Sequence, residues 1–330
     1  MNDPFSSITR WARLLGLLPG AAVVALFGAG QPAQANLVIT ATFDSSITSD
    51  PSAAAIEGVI NTAISTYEAD FTDPINVPIR FQEMSSGLGQ SSTLAWFVPY
   101  STYLAALTAD AKTSNDTTAL AHLSPGPGNP VNGSIDMLIK TANLDAVGLS
   151  SSHSPEASYG TIGLNTHITD VGSPGTTGQY SLLATTEHEI DEVLGLGSTL
   201  GSFSPPQTDP SPEDLFRYDA SGNRSYTLSS TAQAFFSIDG TTDLAQFDNQ
   251  NDGGDFGDWQ SNPLPNGVAP KVQDAFATPG ANPAPSVELV ALDVIGYDPA
   301  QVAATPEPGT LALLGTSLLG FAAMRRRRRQ

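Results

Sequence analysis

Three patterns along the 330 residues predict an α+β fold. A strand, a helix and a second strand succeed one another between Leu37 and Gln82. One amphipathic helix stands in the middle of the chain, from Ser181 to Gly195. Beyond it glycine, proline, asparagine and aspartate dominate, so the C-terminal part is expected to be rich in loops.

The chain begins with Arg10 and Arg13, an apolar run from Leu14 to Phe27, and Ala33-Gln34-Ala35. That order is the pattern of a secretory signal peptide over residues 1–35, cut before Asn36. The run is interrupted by Pro19 and is short for a permanent span.

Leu37 to Phe43 alternates as a strand does. Between Ala53 and Phe71, Ile56, Val59, Ile60, Ile64 and Tyr67 keep the spacing of one helix face. Asn76 to Gln82 reads as the next strand. Residues 99–122 carry Tyr103, Leu104, Leu107 and Leu120 on what reads as the core side of another helix or two. The run Ser124-Pro125-Gly126-Pro127-Gly128-Asn129-Pro130 ends them in a loop.

In the central helix Leu182, Leu183, Val193, Leu194 and Leu196 recur at helical intervals, and Gly195 and Gly197 supply a stop. His188 and Glu192 are one turn apart and share a face. An imidazole and a carboxylate so placed can reach one divalent ion, with Glu189 beside them to take a proton from a water on that ion.

Composition narrows the chemistry further. There is no cysteine, which excludes thiol catalysis, Cys-ligated metal and disulfides, so a metal must use His, Asp, Glu or backbone oxygens. Residues 36–305 hold 6 Lys+Arg against 31 Asp+Glu. A segment that acidic repels nucleic acid, and such partners are discarded. No P-loop, dinucleotide fingerprint or Gly-x-Ser-x-Gly appears, which leaves a serine hydrolase unsupported.

The helix reads His188-Glu189-Ile190-Asp191-Glu192, an HExxE sequence that resembles the zinc-binding helix of zincin (metzincin or matrixin-like) metallopeptidases. Gly195 stands where HExxHxxGxxH enzymes turn toward a third ligand. That third position is Ser198 here, a poor zinc ligand. Tyr159 to Asn165, with Gly178-Gln179-Tyr180-Ser181, looks like the edge strand and lead-in of matrixin-like zincins. Glu213 to Tyr218 and Leu292 to Asp298 complete a similarity, spanning about residues 37–299, to predicted bacterial metalloproteases with HExxE and a PEP-CTERM tail.

The resemblance implies a zincin-like metallopeptidase fold for residues 36–305: a mixed twisted sheet, an active-site helix and a loop-rich C-terminal subdomain. It implies a secreted metal-dependent endopeptidase acting on peptide or protein substrates, with a metal-activated water and Glu189 as general base. His188 and Glu192 are the expected ligands of Zn²⁺. Asp214, in the segment beyond the proline-rich loop Ser204 to Pro212, is the expected third. Its alternative is a carboxylate paired with Arg217 or capping a turn. His122, His153 and His167 are further candidates, His167 first among them. Tyr218 is a candidate donor to a developing oxyanion. The rival function is a non-catalytic envelope or exopolysaccharide-matrix protein that retains the fold.

Asp239, Asp243, Asp248, Asp252, Asp255 and Asp258 lie among glycines and asparagines. The run Asp248 to Gly253 approaches a calcium loop, but Gln250 and Trp259 occupy two of its ligand places. Ca²⁺ remains a second expected ion and a solvated acidic loop the alternative. Val287 to Ile295 reads as a closing helix or strand. Finally, Pro306-Glu307-Pro308, an apolar stretch from Gly309 to Met324 and Arg325 to Arg329 resemble a PEP-CTERM sorting tail over 306–330. An exosortase-type enzyme would process it after transient inner-membrane association, in the envelope or exterior of a Gram-negative bacterium.

Overall fold

The computed structural model describes residues 36–300 except 153–156, 172–174, 202–207 and 250–251. Residues 1–35, read above as a signal peptide, and the C-terminal tail lie outside the described residues, as does His153. In chain order the elements begin with β1 (Val38–Phe43), α1 (Ser45–Thr48), α2 (Ala53–Asp70), β2 (Asn76–Glu83), β3 (Gly89–Thr93), β4 (Ala95–Pro99), α3 (Tyr100–Asp110) and α4 (Ser114–Ala121). There follow β5 (Asp136–Lys140), α5 (Thr141–Ala146), β6 (Gly160–Leu164), α6 (Leu182–Leu194), the short pieces β7 (Arg217–Tyr218), β8 (Phe235–Phe236) and β9 (Ala245–Gln246), and α7 (Val287–Val294).

The architecture is mixed α+β with open sheets. The principal sheet has the order β1-β2-β6-β3, parallel throughout except for β3, which runs antiparallel to β6. The path from β1 through α2 to β2 joins two parallel neighbours through a helical crossover. Val77, Ile79 and Phe81 of β2 are buried in alternation, and Ile56, Ile60, Ala63, Ile64 and Tyr67 of α2 form one buried stripe.

One expectation is corrected here. The segment Tyr159 to Asn165 contributes β6, an inner strand, and the edge strand beside it is β3, with β1 at the opposite edge. Gly-Gln-Ser-Ser-Thr has no apolar alternation because the strand is only half covered, so nothing in its pattern announces it. The segment at 287–295 resolves as a helix, and residues 100–121 as two helices, the second opened by a capping box of Thr113 and Asp116.

Helix α6 is fixed at both ends. Ser181 Oγ accepts from the Ala184 N–H at 3.0 Å, and Asp170 Oδ1 accepts from Leu182 N–H at 3.0 Å. At the other end Gly195 is the C-cap, and Lys140 Nζ donates to the carbonyls of Glu192 (2.7 Å) and Leu196 (2.6 Å). A cation there also suits the helix dipole. Tyr67 of α2 and Tyr297 near the end of the described chain donate their hydroxyls to the carbonyls of Glu187 and Leu194. Strand β5 through Lys140, helix α2 through Tyr67 and the segment at Tyr297 therefore all hold α6 in place. Among the described residues no helix is long and apolar enough to cross a membrane.

Candidate metal centre

His188, Glu189 and Glu192 project from α6 into a cleft of about 650 Å³. Edge strand β3 contributes Gly89, Gln90 and Ser91 to one wall, and the loop segment around 270–278 contributes the other. Among the described residues a single group of three or more His, Asp or Glu side chains has ligand atoms close enough to share one cation. It comprises His188, Glu192 and Asp258, whose atoms lie within 4.8 Å of one another.

The expected third ligand is thereby displaced. Asp214 is not in the group; its carboxylate is buried in a cage of donors from its own loop. Ser198 Oγ donates to it at 2.5 Å, Thr199 N–H at 3.2 Å, and Ser211 N–H and Oγ at 2.9 Å each. It ties the chain after α6 to the 3₁₀ turn at Glu213–Phe216, the turn-capping alternative rather than a ligand. His167 is exposed on a turn after β6. His122 is exposed at the C-cap of α4, its Nδ1 2.8 Å from the Thr118 carbonyl. Tyr218 does not line the cleft; it packs beneath the Arg224 guanidinium, 4.2 Å from its ring centre.

Asp258 arrives beside α6 because Gly257 lies flat on the backbone of Gly197 and Ser198, where a Cβ would clash outright. Its Oδ2 stands 3.8 Å from His188 Nε2, and its Oδ1 accepts from Gln273 Nε2 at 2.8 Å. His188 Nδ1 lies 3.0 Å from the Val272 carbonyl. Donation from Nδ1 to that carbonyl turns Nε2 toward Asp258 and to 3.3 Å from Gln273 Nε2, and Nε2 is the atom that would offer a lone pair to a cation on losing its proton. Glu192 accepts from Ser91 Oγ at 2.6 Å.

Charge is crowded at this point. Burial would push His188 down, yet Asp258, Glu189 and Glu192 carry it up to about 10. Burial pushes Glu189 well above the usual carboxylate range, and Glu192 pushes it further. Asp258 is likewise raised by burial and by Glu192, with His188 opposing. Glu189 Oε2 is buried without a hydrogen-bond partner, and its other oxygen faces Gly89, where no side chain would fit.

His188, Glu189 and Glu192 were thus legible as a unit, and Asp258 and Gln273 were not. The one available signal was Gly254-Asp255-Phe256-Gly257-Asp258-Trp259, which holds a glycine able to approach backbone closely just before an acid. In the acidic loop the buried Asn249 is occupied by Arg217, Ser229 and Ala232, and residues 250–251 lie outside the described residues.

Residues 304–328 match the PEP-CTERM protein-sorting motif. The chain therefore carries a sorting tail that indicates export and processing for a Gram-negative cell envelope or extracellular location, and that is recognised by an exosortase-type enzyme. No curated protein and no solved structure matches the chain.

Proposed function

We propose that this exported chain is a metal-dependent endopeptidase of zincin type, with His188, Glu192 and Asp258 holding Zn²⁺ and Glu189 acting as general base. The observation that carries the reading is the convergence of one imidazole and two carboxylates within 4.8 Å on the floor of an open cleft, with a third carboxylate beside them.

The donor set fits a divalent cation. One nitrogen and two carboxylate oxygens leave a fourth position open, as catalytic zinc sites do. The crowding of carboxylates that raises Glu189 and Asp258 is what a cation would neutralise. When bound, the ion would polarise a peptide carbonyl and make an adjacent water more acidic. Glu189 then removes a proton from the attacking water and returns it to the leaving amine. Its Oε2, lacking any hydrogen-bond partner, is free for that exchange. Gly89 keeps β3 close against Glu189, which narrows the space from which bulk water would compete.

A cleavage assay on an unfolded protein substrate tests the reading. Zinc-loaded wild type should cut it, and Glu189→Gln, which keeps the shape and removes the base, should lose about 10²-fold or more of the rate. Activity unchanged in Glu189→Gln would remove Glu189 as the base, and no cleavage by a wild type carrying stoichiometric ion would favour the non-catalytic envelope protein instead.

A further inference from the structure

Each carboxylate of the proposed centre has one oxygen engaged from outside it. On Asp258 the donor is Gln273 Nε2, 2.8 Å from Oδ1; on Glu192 it is Ser91 Oγ, 2.6 Å from Oε2. Ser91 lines the cleft on the β3 side, while Gln273 is buried behind the loop whose Val272 and Asp274 line it.

Gln273 is wholly buried and its backbone is locked. Its N–H donates to Glu288 Oε1 at 3.1 Å, and its carbonyl accepts from Trp259 N–H at 2.8 Å. The same Glu288 oxygen accepts the Trp259 indole N–H at 2.9 Å. Glu288, buried in the first turn of α7, therefore pins both the residue after Asp258 and Gln273 itself. The orientation of the Gln273 amide follows from charge. Reversal would set its oxygen against the Asp258 carboxylate, acceptor against acceptor. Its Oε1 has no hydrogen-bond partner, and its Nε2 also lies 3.3 Å from His188 Nε2, so the shorter contact to Asp258 is shared with the imidazole.

We infer that Gln273 and Ser91 are positioning residues that confine Asp258 and Glu192 to one coordinating oxygen each, and thereby select a small four-coordinate ion. An oxygen that already accepts a short hydrogen bond has one fewer lone pair for a cation, and its carboxylate is held in one orientation. Two single-oxygen carboxylates and one imidazole make a three-ligand site with one open place, the arrangement zinc favours. Carboxylates released to bind through both oxygens would raise the coordination number and the hardness of the site, toward that suited to Mn²⁺ or Ca²⁺.

The inference rests on the metal-centre reading above and adds the source of its selectivity. Its test is competition of Zn²⁺ and Mn²⁺ against a chromophoric chelator, with the purified full chain as wild type, Gln273→Met and Ser91→Ala. Melting of the metal-free proteins serves as a fold control. Gln273→Met keeps the volume and removes the donor. Zinc affinity should fall about 10–100-fold in each variant, with manganese affinity falling less, so that the Zn/Mn ratio narrows by roughly tenfold. Parallel losses for both ions, or no loss in either variant, would overturn the inference while leaving the metal centre intact. A wild type that binds neither ion overturns both. Ser91 lies on the half-exposed edge strand, so its variant decides the matter if Gln273→Met does not fold.

Discussion

Ser91 and Glu192 are joined by a 2.6 Å hydrogen bond that links the edge strand of the sheet to the helix carrying the candidate site. Strand and helix are thus registered at the carboxylate itself. Cleavage of an extended substrate should therefore be sensitive to this hydroxyl even though it is not a ligand. Ser91→Thr, which retains the donor, should keep zinc affinity within about threefold of wild type, whereas Ser91→Ala should not. Isothermal titration of the two variants checks the pair.

Gly89 gives a second prediction from the same strand. A Cβ there would collide with the Glu189 carboxylate and crowd the Thr185 methyl. Gly89→Ala should displace Glu189 and leave His188, Glu192 and Asp258 in place. Metal content should persist while turnover drops by about 10²-fold, measured by metal analysis and single-turnover cleavage on one preparation.

How much of this was legible beforehand depends on whether a feature is periodic. Helices α2 and α6 and strand β2 announced themselves because their buried residues repeat at the helix or strand interval. Strand β3 did not, because Gly89 to Thr93 is polar and serves the site by proximity. His188 and Glu192 were visible as a pair because helix geometry fixes residues four apart. Asp258 is brought in by tertiary folding from a distant loop, and the glycine before it is a weak signal, since Asp255 follows a glycine too. Asp214 drew attention through its family-like segment, yet the serines and threonine that cage it were dispersed across Ser198, Thr199 and Ser211. Gln273 carries no sequence signal, since a lone glutamine in a loop is ordinarily solvated.

A pH prediction comes from a separate place. Asp73, wholly buried, is pushed up to about 7 by burial, with the Asp298 N–H opposing and the Asp298 and Asp110 carboxylates adding to the rise. Asp110 and Asp293 nearby are each raised to about 6, chiefly by burial. Lys112 answers this group through Asp298 and Asp110, and Asp116 adds further negative charge. A carboxyl raised in the folded state stabilises it below the unfolded value of 3.8, and that stability is lost as pH rises through 7. Between pH 5 and pH 8 Asp73 alone should remove about 2 kcal/mol. Thermal melts should therefore fall over that interval, and Asp73→Asn should flatten the fall. A slope unchanged in Asp73→Asn would assign it to other groups.

For the sorting tail, intact mass of the protein from an exosortase-bearing host should show loss of the region near Pro306-Glu307-Pro308. Recovery of surface protein that still ends at Gln330 contradicts processing.

The most direct test of the centre is zinc stoichiometry and affinity in wild type, Asp258→Ala and Asp214→Ala. One ion per chain is expected for wild type, and Asp258→Ala should lower affinity by about 10²-fold or more. Asp214→Ala should bind zinc as wild type does but lose about 1–3 kcal/mol of stability, because its caged donors are left unpaired. Wild-type affinity in Asp258→Ala, or loss of the ion in a folded Asp214→Ala, would contradict the assignment of Asp258 to the centre.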